Sequence, residues 1–128
     1  MLTSSFGWDC SSNRDFLYDI VKSFQNKSIR VSLFISPSLN TLENLEYILP
    51  DRIELYTFDF AKNFTSNKEE AILPYLKIVD FIDKHCSTID LNAGHDLSLD
   101  NLSFFLSSIS PIFLEIPFLV KLFGIKTQ

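Results

Sequence analysis

Arg52-Ile-Glu-Leu-Tyr56 decides the fold. Side chains alternate along a strand, so Arg52, Glu54 and Tyr56 share one face and Ile53 and Leu55 share the other. The aliphatic pair calls for a cover of helices. A carboxylate in the middle of the opposite face calls for a partner, or its pKa rises.

The pattern on either side of this run alternates helix and strand. Before it, Asn13 to Gln25 carries Phe16, Leu17, Ile20, Val21 and Phe24 at helical spacing, and Val31 to Ile35 is an apolar run of strand length. Ser38 offers an N-cap for a helix over Leu39 to Leu49, with Leu42, Leu45, Tyr47 and Ile48 or Leu49 inward, and Pro50-Asp51 stops it. After it come a polar loop through Ser66-Asn67 and a helix from Lys68 to His85 striped by Ile72, Leu76, Val79 and Ile82. Pro74 predicts a late start or a kink in that helix. Ile89 to Asn92 is a strand, Leu99 to Ser108 a helix behind Asp96 or Ser98, Ile112 to Ile116 a further strand, and Phe118 to Phe123 a last short helix. Leu2-Thr3 looks like the tail of an earlier strand. Strand then helix, repeated at spacings of roughly 20 to 35 residues, signals βαβ units and a parallel sheet. Two architectures stay open: a small doubly wound sheet, or part of a (β/α)₈ barrel.

Composition bounds the function. The 128 residues suit one domain, and 13 Phe, 4 Tyr and 1 Trp give too much apolar surface for a disordered chain. A net charge of −5 argues against a nucleic-acid partner, which needs a basic face. The longest apolar stretch, Ile109 to Ile125, holds Pro111, Glu115, Pro117 and Lys121 and is a poor membrane span. Cys10 and Cys86 form no disulfide framework and sit in no nucleophile arrangement, so they read as packing residues of a reduced, cytoplasmic protein. No phosphate-binding glycine loop, zinc spacing or other metal-ligand set is present.

Sites in both candidate architectures lie at the carboxyl ends of the strands. Thr3, Glu54, His95 and Glu115 occupy or follow strand segments there. Glu54 is either half of a buried salt bridge, with Arg52 or a lysine, or a catalytic carboxylate. His95 follows Asn92-Ala-Gly94, read as a tight turn that lets backbone approach a ligand. It is either a general acid or base, or a hydrogen-bond donor to a phosphate, or a solvent-facing partner of Asp96. His85 reads as a cation at a helix carboxyl end.

At four blocks, in order, the chain resembles the pyridoxine 5′-phosphate synthase family of deoxyxylulose-dependent vitamin B6 biosynthesis. Thr3-Ser-Ser-Phe-Gly-Trp-Asp9 is similar to the family's T-[ST]-E-G-G-x-D, and Arg30-Val-Ser-Leu-Phe-Ile35 to its [RQ]-V-S-L-F-I strand. Asp51-Arg-Ile-Glu-Leu-Tyr-Thr57 with Ala61 is similar to its x-[RF]-I-E-[LI]-[HY]-T-G-x-Y-A segment. Leu91-Asn-Ala-Gly-His-Asp-Leu97 with Asn101-Leu102 is similar to V-N-A-G-H-[GD]-L…N-[LV].

The resemblance implies an α/β fold, a partial (β/α)₈ TIM barrel. Residues 1–128 would form one incomplete domain, from the end of strand four through strand eight of a barrel of about 250 residues. It implies condensation of 1-deoxy-D-xylulose 5-phosphate with 3-amino-1-hydroxyacetone 1-phosphate to pyridoxine 5′-phosphate, phosphate and water. No metal or organic cofactor is implied. Glu54 matches a glutamate that stabilises charged intermediates, His95 a proton donor, Asp96 a position contacting the aminoketone phosphate, and Thr3 a contact to the deoxyxylulose phosphate. Family members are cytoplasmic homo-oligomers.

The chain also departs from the pattern. Ser5 and Phe6 replace Glu-Gly, and Phe58 replaces the glycine after Thr57, placing a ring where the backbone should turn. The N-terminal catalytic residues of the family are absent, and residues 117–128 form a divergent tail without the family's Gly-His loop, as a frameshift or gene decay near Pro117 would produce. The expectation is a truncated enzyme, weak or inactive alone and marginally stable, that self-associates or needs a separate N-terminal half. The alternatives are a non-catalytic remnant or half-barrel that binds phosphate or a partner protein, and an unrelated phosphate-binding domain of shared barrel ancestry.

Overall fold

A computed structural model describes residues 7–94 and 96–109 and the backbone of 118–121. The elements run α1 (Arg14–Gln25), β1 (Ser32–Ile35), a 3-10 turn (Leu39–Leu42), α2 (Leu45–Ile48), β2 (Arg52–Tyr56) and α3 (Phe58–Asn63). They continue with α4 (Lys68–His85), β3 (Asp90–Gly94), α5 (Leu99–Ile109) and β4 (Phe118–Lys121). The four strands are parallel and lie in chain order, β1-β2-β3-β4.

That order is consistent with the second of the two architectures left open by the pattern, part of a (β/α)₈ barrel. Parallel crossovers are right-handed, so connections that always step to the next strand keep every helix on one face. A doubly wound sheet reverses its order and covers both faces. Here Leu33, Ile35, Ile53, Leu55, Leu91 and Ala93 point to one side and are buried. They join a single core with Leu17 and Val21 of α1, Phe60 of α3, Ile78 and Ile82 of α4, and Phe105 of α5. The result is an α/β sheet wound in one direction and flanked by helices, as in part of a (β/α)₈ barrel.

The edge beyond β1 is already engaged. Trp8 forms a parallel bridge with Ile35, its N–H donating to the Phe34 carbonyl at 2.7 Å. The Gly7 N–H donates to Ser36 Oγ at 2.9 Å. A Cβ at Gly7 would lie 2.7 Å from Ile35 C and Cα, so this approach needs glycine.

Several expectations are corrected. The segment expected as a polar loop after β2 contains α3, because Phe60 buries itself edge-on against Phe105, ring centroids 5.0 Å apart. The helix expected over Leu39–Leu49 is split. Asn44 takes the left-handed conformation at φ 74 and its amide reaches the Cys10 and Ser11 carbonyls, each at 3.4 Å. Tyr47 and Leu49 are consequently exposed, while Leu42, Leu45 and Ile48 are inward. Phe16 and Phe24 of α1 are exposed too, because Leu17 and Val21 fill the space against the sheet.

Helix α4 starts on time despite Pro74: the Asn67 side chain caps it by accepting from the Glu70 N–H at 3.1 Å. Its buried stripe also takes in Tyr75 and Ile78. Phe118–Lys121, expected as a short helix, is strand β4, paired with Leu91–Gly94. Strand β3 runs on to Gly94, so Asn92, Ala93 and Gly94 are strand residues rather than a turn. The expected strands at Leu2-Thr3 and Ile112–Ile116 lie outside the described residues.

Candidate functional site

The face of the sheet turned away from the core, which no helix covers among the described residues, carries the polar residues. By register, Phe34 of β1, Glu54 of β2 and Asn92 of β3 stand side by side across it. One step toward the carboxyl ends, Tyr56 is level with Gly94. Glu54 is half-buried, and Tyr56 and Asn92 are buried. The Phe34 and Tyr56 rings meet edge-on at 5.1 Å, and Phe58 stacks on Tyr56 at 5.9 Å with 15° between planes. Aromatic rings thus wall the carboxyl end of β2 around a mid-strand carboxylate.

The end of β2 is anchored from behind. The buried Tyr75 hydroxyl of α4 donates to the Tyr56 carbonyl at 2.7 Å. Burial holds the Tyr75 phenol well above its ordinary pKa, so it stays a donor. The Tyr56 phenol is also raised, by burial first and then by the negative charges of Asp96 and Asp59. That influence brings Asp96 into the electrostatic neighbourhood of Tyr56.

Asp96 is exposed at the mouth with φ 57. The buried Asn101 side chain fixes this turn. Its Nδ2 donates to the Asp96 carbonyl at 3.4 Å, and its Oδ1 accepts from the Ser98 N–H at 2.9 Å. The first turn of α5 therefore sets the path of the chain as it leaves β3.

The opposite end of the sheet is built for stability. Arg30 Nη2 and Asp90 Oδ2 are 2.9 Å apart. Asp51 accepts from the Val31 N–H at 2.7 Å and from Gln25 Nε2 at 3.2 Å. Burial pushes the Asp51 carboxyl up, but these bonds and the Arg30 charge outweigh it and hold it below the usual range.

Of the four site residues expected from sequence, the structure places Glu54 in the middle of β2 and Asp96 in the turn after the neighbouring β3, whereas Thr3 and His95 lie outside the described residues. Tyr56 and Asn92 were not singled out as site residues. Their signal was available: Tyr56 shares a face with Glu54, and Asn92 lies in the block before His95.

Cys10 and Cys86 are buried, and burial first, with the charges of Asp9 and Glu46 respectively, pushes each thiol up to about 11. Neither is a thiolate nucleophile at neutral pH. Among the described residues no group of three or more His, Cys, Asp or Glu side chains could hold a metal ion, and no helix is long and apolar enough to cross a membrane.

The family model described as "Pyridoxal phosphate biosynthesis protein PdxJ" matches residues 1–116. The chain belongs to this family. Among curated relatives, pyridoxine 5′-phosphate synthase of Flavobacterium johnsoniae is 40% identical over 115 residues, covering 90% of this chain and 47% of that protein. The proteins of the same name from Bacteroides thetaiotaomicron and Porphyromonas gingivalis are 37% and 39% identical, covering 84% and 82% of this chain and 45% and 43% of theirs. The chain therefore spans a little under half the length of these PdxJ-family relatives. Strand β2 with Glu54 and the turn with Asp96 both lie inside the matched segment, and residues 117–128 lie beyond it.

Proposed function

We propose that this chain supplies part of the active site of a pyridoxine 5′-phosphate synthase. It would condense 1-deoxy-D-xylulose 5-phosphate with 3-amino-1-hydroxyacetone 1-phosphate to pyridoxine 5′-phosphate, phosphate and water, without a metal or organic cofactor. The carrying observation is Glu54, a half-buried carboxylate on the helix-free face of a one-way-wound parallel sheet, one step below the strand's carboxyl end. In this reading β1 to β4 are strands five to eight of the barrel, and Gly7-Trp8 continues the end of strand four. The helix-free face is then the barrel interior, and residues 117–128 are the divergent end of one incomplete domain.

Ring closure needs proton transfers and a fixed charge where cationic character develops away from water. Glu54 supplies that charge. His95 donates protons, Asp96 stands where the aminoketone phosphate is contacted, and Thr3 contacts the deoxyxylulose phosphate. A barrel fragment has open sheet edges and an uncovered interior, which closure removes. The chain therefore works in the cytoplasm as a homo-oligomer or with a separate N-terminal half, and is weak or inactive alone.

A second reading is a non-catalytic half-barrel that binds phosphate or a partner protein. Phe58 favours it, because a ring stacked on Tyr56 stands at the position where the family pattern has glycine.

The test is product formation from both phosphorylated substrates, by this chain alone and mixed with the N-terminal half of a family member. Turnover in the mixture that is lost on His95→Asn supports the synthase. No turnover in either arm, with phosphate binding retained, supports the second reading.

A further inference from the structure

Asn92 has no measurable exposure, and among the described residues neither its Nδ2 nor its Oδ1 has a hydrogen-bond partner. Buried side-chain amides are nearly always satisfied, and an orphan donor and acceptor together are costly to the fold. The site is not a generic surface position. By register Asn92 stands beside Glu54 on the helix-free face, two residues before the end of β3 at Gly94. An alanine or valine there would fold without the penalty, and valine suits a strand better than asparagine. A residue that weakens the fold next to the site's carboxylate is the kind of local inconsistency that function explains.

We propose that Asn92 is a substrate-binding residue, its amide kept unpartnered within the fold to hydrogen-bond the phosphorylated keto substrate. The inference rests on the synthase reading above. The chemistry fits a ligand carrying both kinds of group: Nδ2 donates to a carbonyl or hydroxyl oxygen, and Oδ1 accepts from an amine or hydroxyl hydrogen. 3-Amino-1-hydroxyacetone 1-phosphate offers a ketone oxygen and an adjacent amine, so one amide can hold both and fix the orientation of the carbon skeleton relative to Glu54. Binding then satisfies both atoms at once.

The experiment is calorimetric titration of 3-amino-1-hydroxyacetone 1-phosphate into the full chain paired with the N-terminal half, for the native protein, Asn92→Val and Asn92→Ala. Thermal melting is recorded for each. The expected result is a dissociation constant raised about tenfold or more in both variants, with the melting temperature of Asn92→Val equal to or above native. A folded variant that binds as tightly as native overturns the inference and leaves the synthase reading intact. Failure of both variants to fold also overturns it, because the amide is then satisfied by the fold. Native protein that binds neither this compound nor 1-deoxy-D-xylulose 5-phosphate overturns the synthase reading itself.

Discussion

The Tyr75 hydroxyl of α4 donates to the Tyr56 carbonyl of β2 at 2.7 Å, inside the core. This bond ties the longest helix to the strand that carries Glu54, at the end where the candidate site opens. The Tyr56 carbonyl is the last of its strand, so the bond sets where β2 stops and α3 begins.

Tyr75→Phe removes this buried hydrogen bond. The expected cost is about 0.5–1.5 kcal/mol of stability, read as a lower urea midpoint with an unchanged slope. Slack at the end of β2 also predicts weaker substrate binding at constant Glu54 chemistry.

Gly7→Ala places a Cβ 2.7 Å from Ile35 Cα, against backbone that cannot rotate away. Overpacking of this kind costs about 1–3 kcal/mol. The Trp8–Ile35 bridge should loosen, and faster amide exchange at the Trp8 N–H checks it.

Asp51 makes part of the stability acid-labile. Its folded-state pKa lies below its ordinary value, because the Val31 and Gln25 bonds and the Arg30 charge outweigh burial. Its contribution is fully present above the ordinary aspartate pKa of about 3.9. It is lost as pH falls through the lower folded value. Melting temperatures between pH 6 and pH 2 should fall less steeply for Asp51→Asn than for the native protein, with the two curves approaching each other at the acid end.

The thiols offer a simple check of burial. With both pushed up to about 11, Cys10 and Cys86 should resist Ellman's reagent at pH 8 in the folded protein and react promptly in guanidinium chloride. Cys10→Ser and Cys86→Ser should lower stability by leaving a hydroxyl in the core. Any activity of the folded protein should remain.

Much of the fold was legible because its strongest signals are periodic. Arg52–Tyr56 and Lys68–His85 stand in the structure with the bounds their patterns predict, since alternation and helical spacing both reflect one buried face. Short elements carry too few residues for a period. Six-residue α3 was therefore hidden in a polar segment and is held by the single anchor Phe60, and Asn44 broke a helix whose hydrophobic pattern was continuous. Strand order was not legible either, because composition does not record which strands lie side by side; the sequential register of β1 to β4 does.

The site was legible where a charge interrupts an apolar run, as at Glu54. Asn92 was less so: it lies in the block before His95, but asparagine in a strand-and-glycine block reads as turn chemistry. Its burial, with both amide atoms unpartnered among the described residues, marks it.

The most direct test of the central claim is the rate of pyridoxine 5′-phosphate formation by native chain and Glu54→Gln, each paired with the N-terminal half of a family member. Glu54→Gln keeps the size of the side chain but removes the charge and turns one acceptor oxygen into an amide donor. The account predicts a loss of roughly a hundredfold or more in turnover, the scale of removing one transition-state stabilising group, with the melting temperature unchanged. Equal turnover in the two proteins would contradict it.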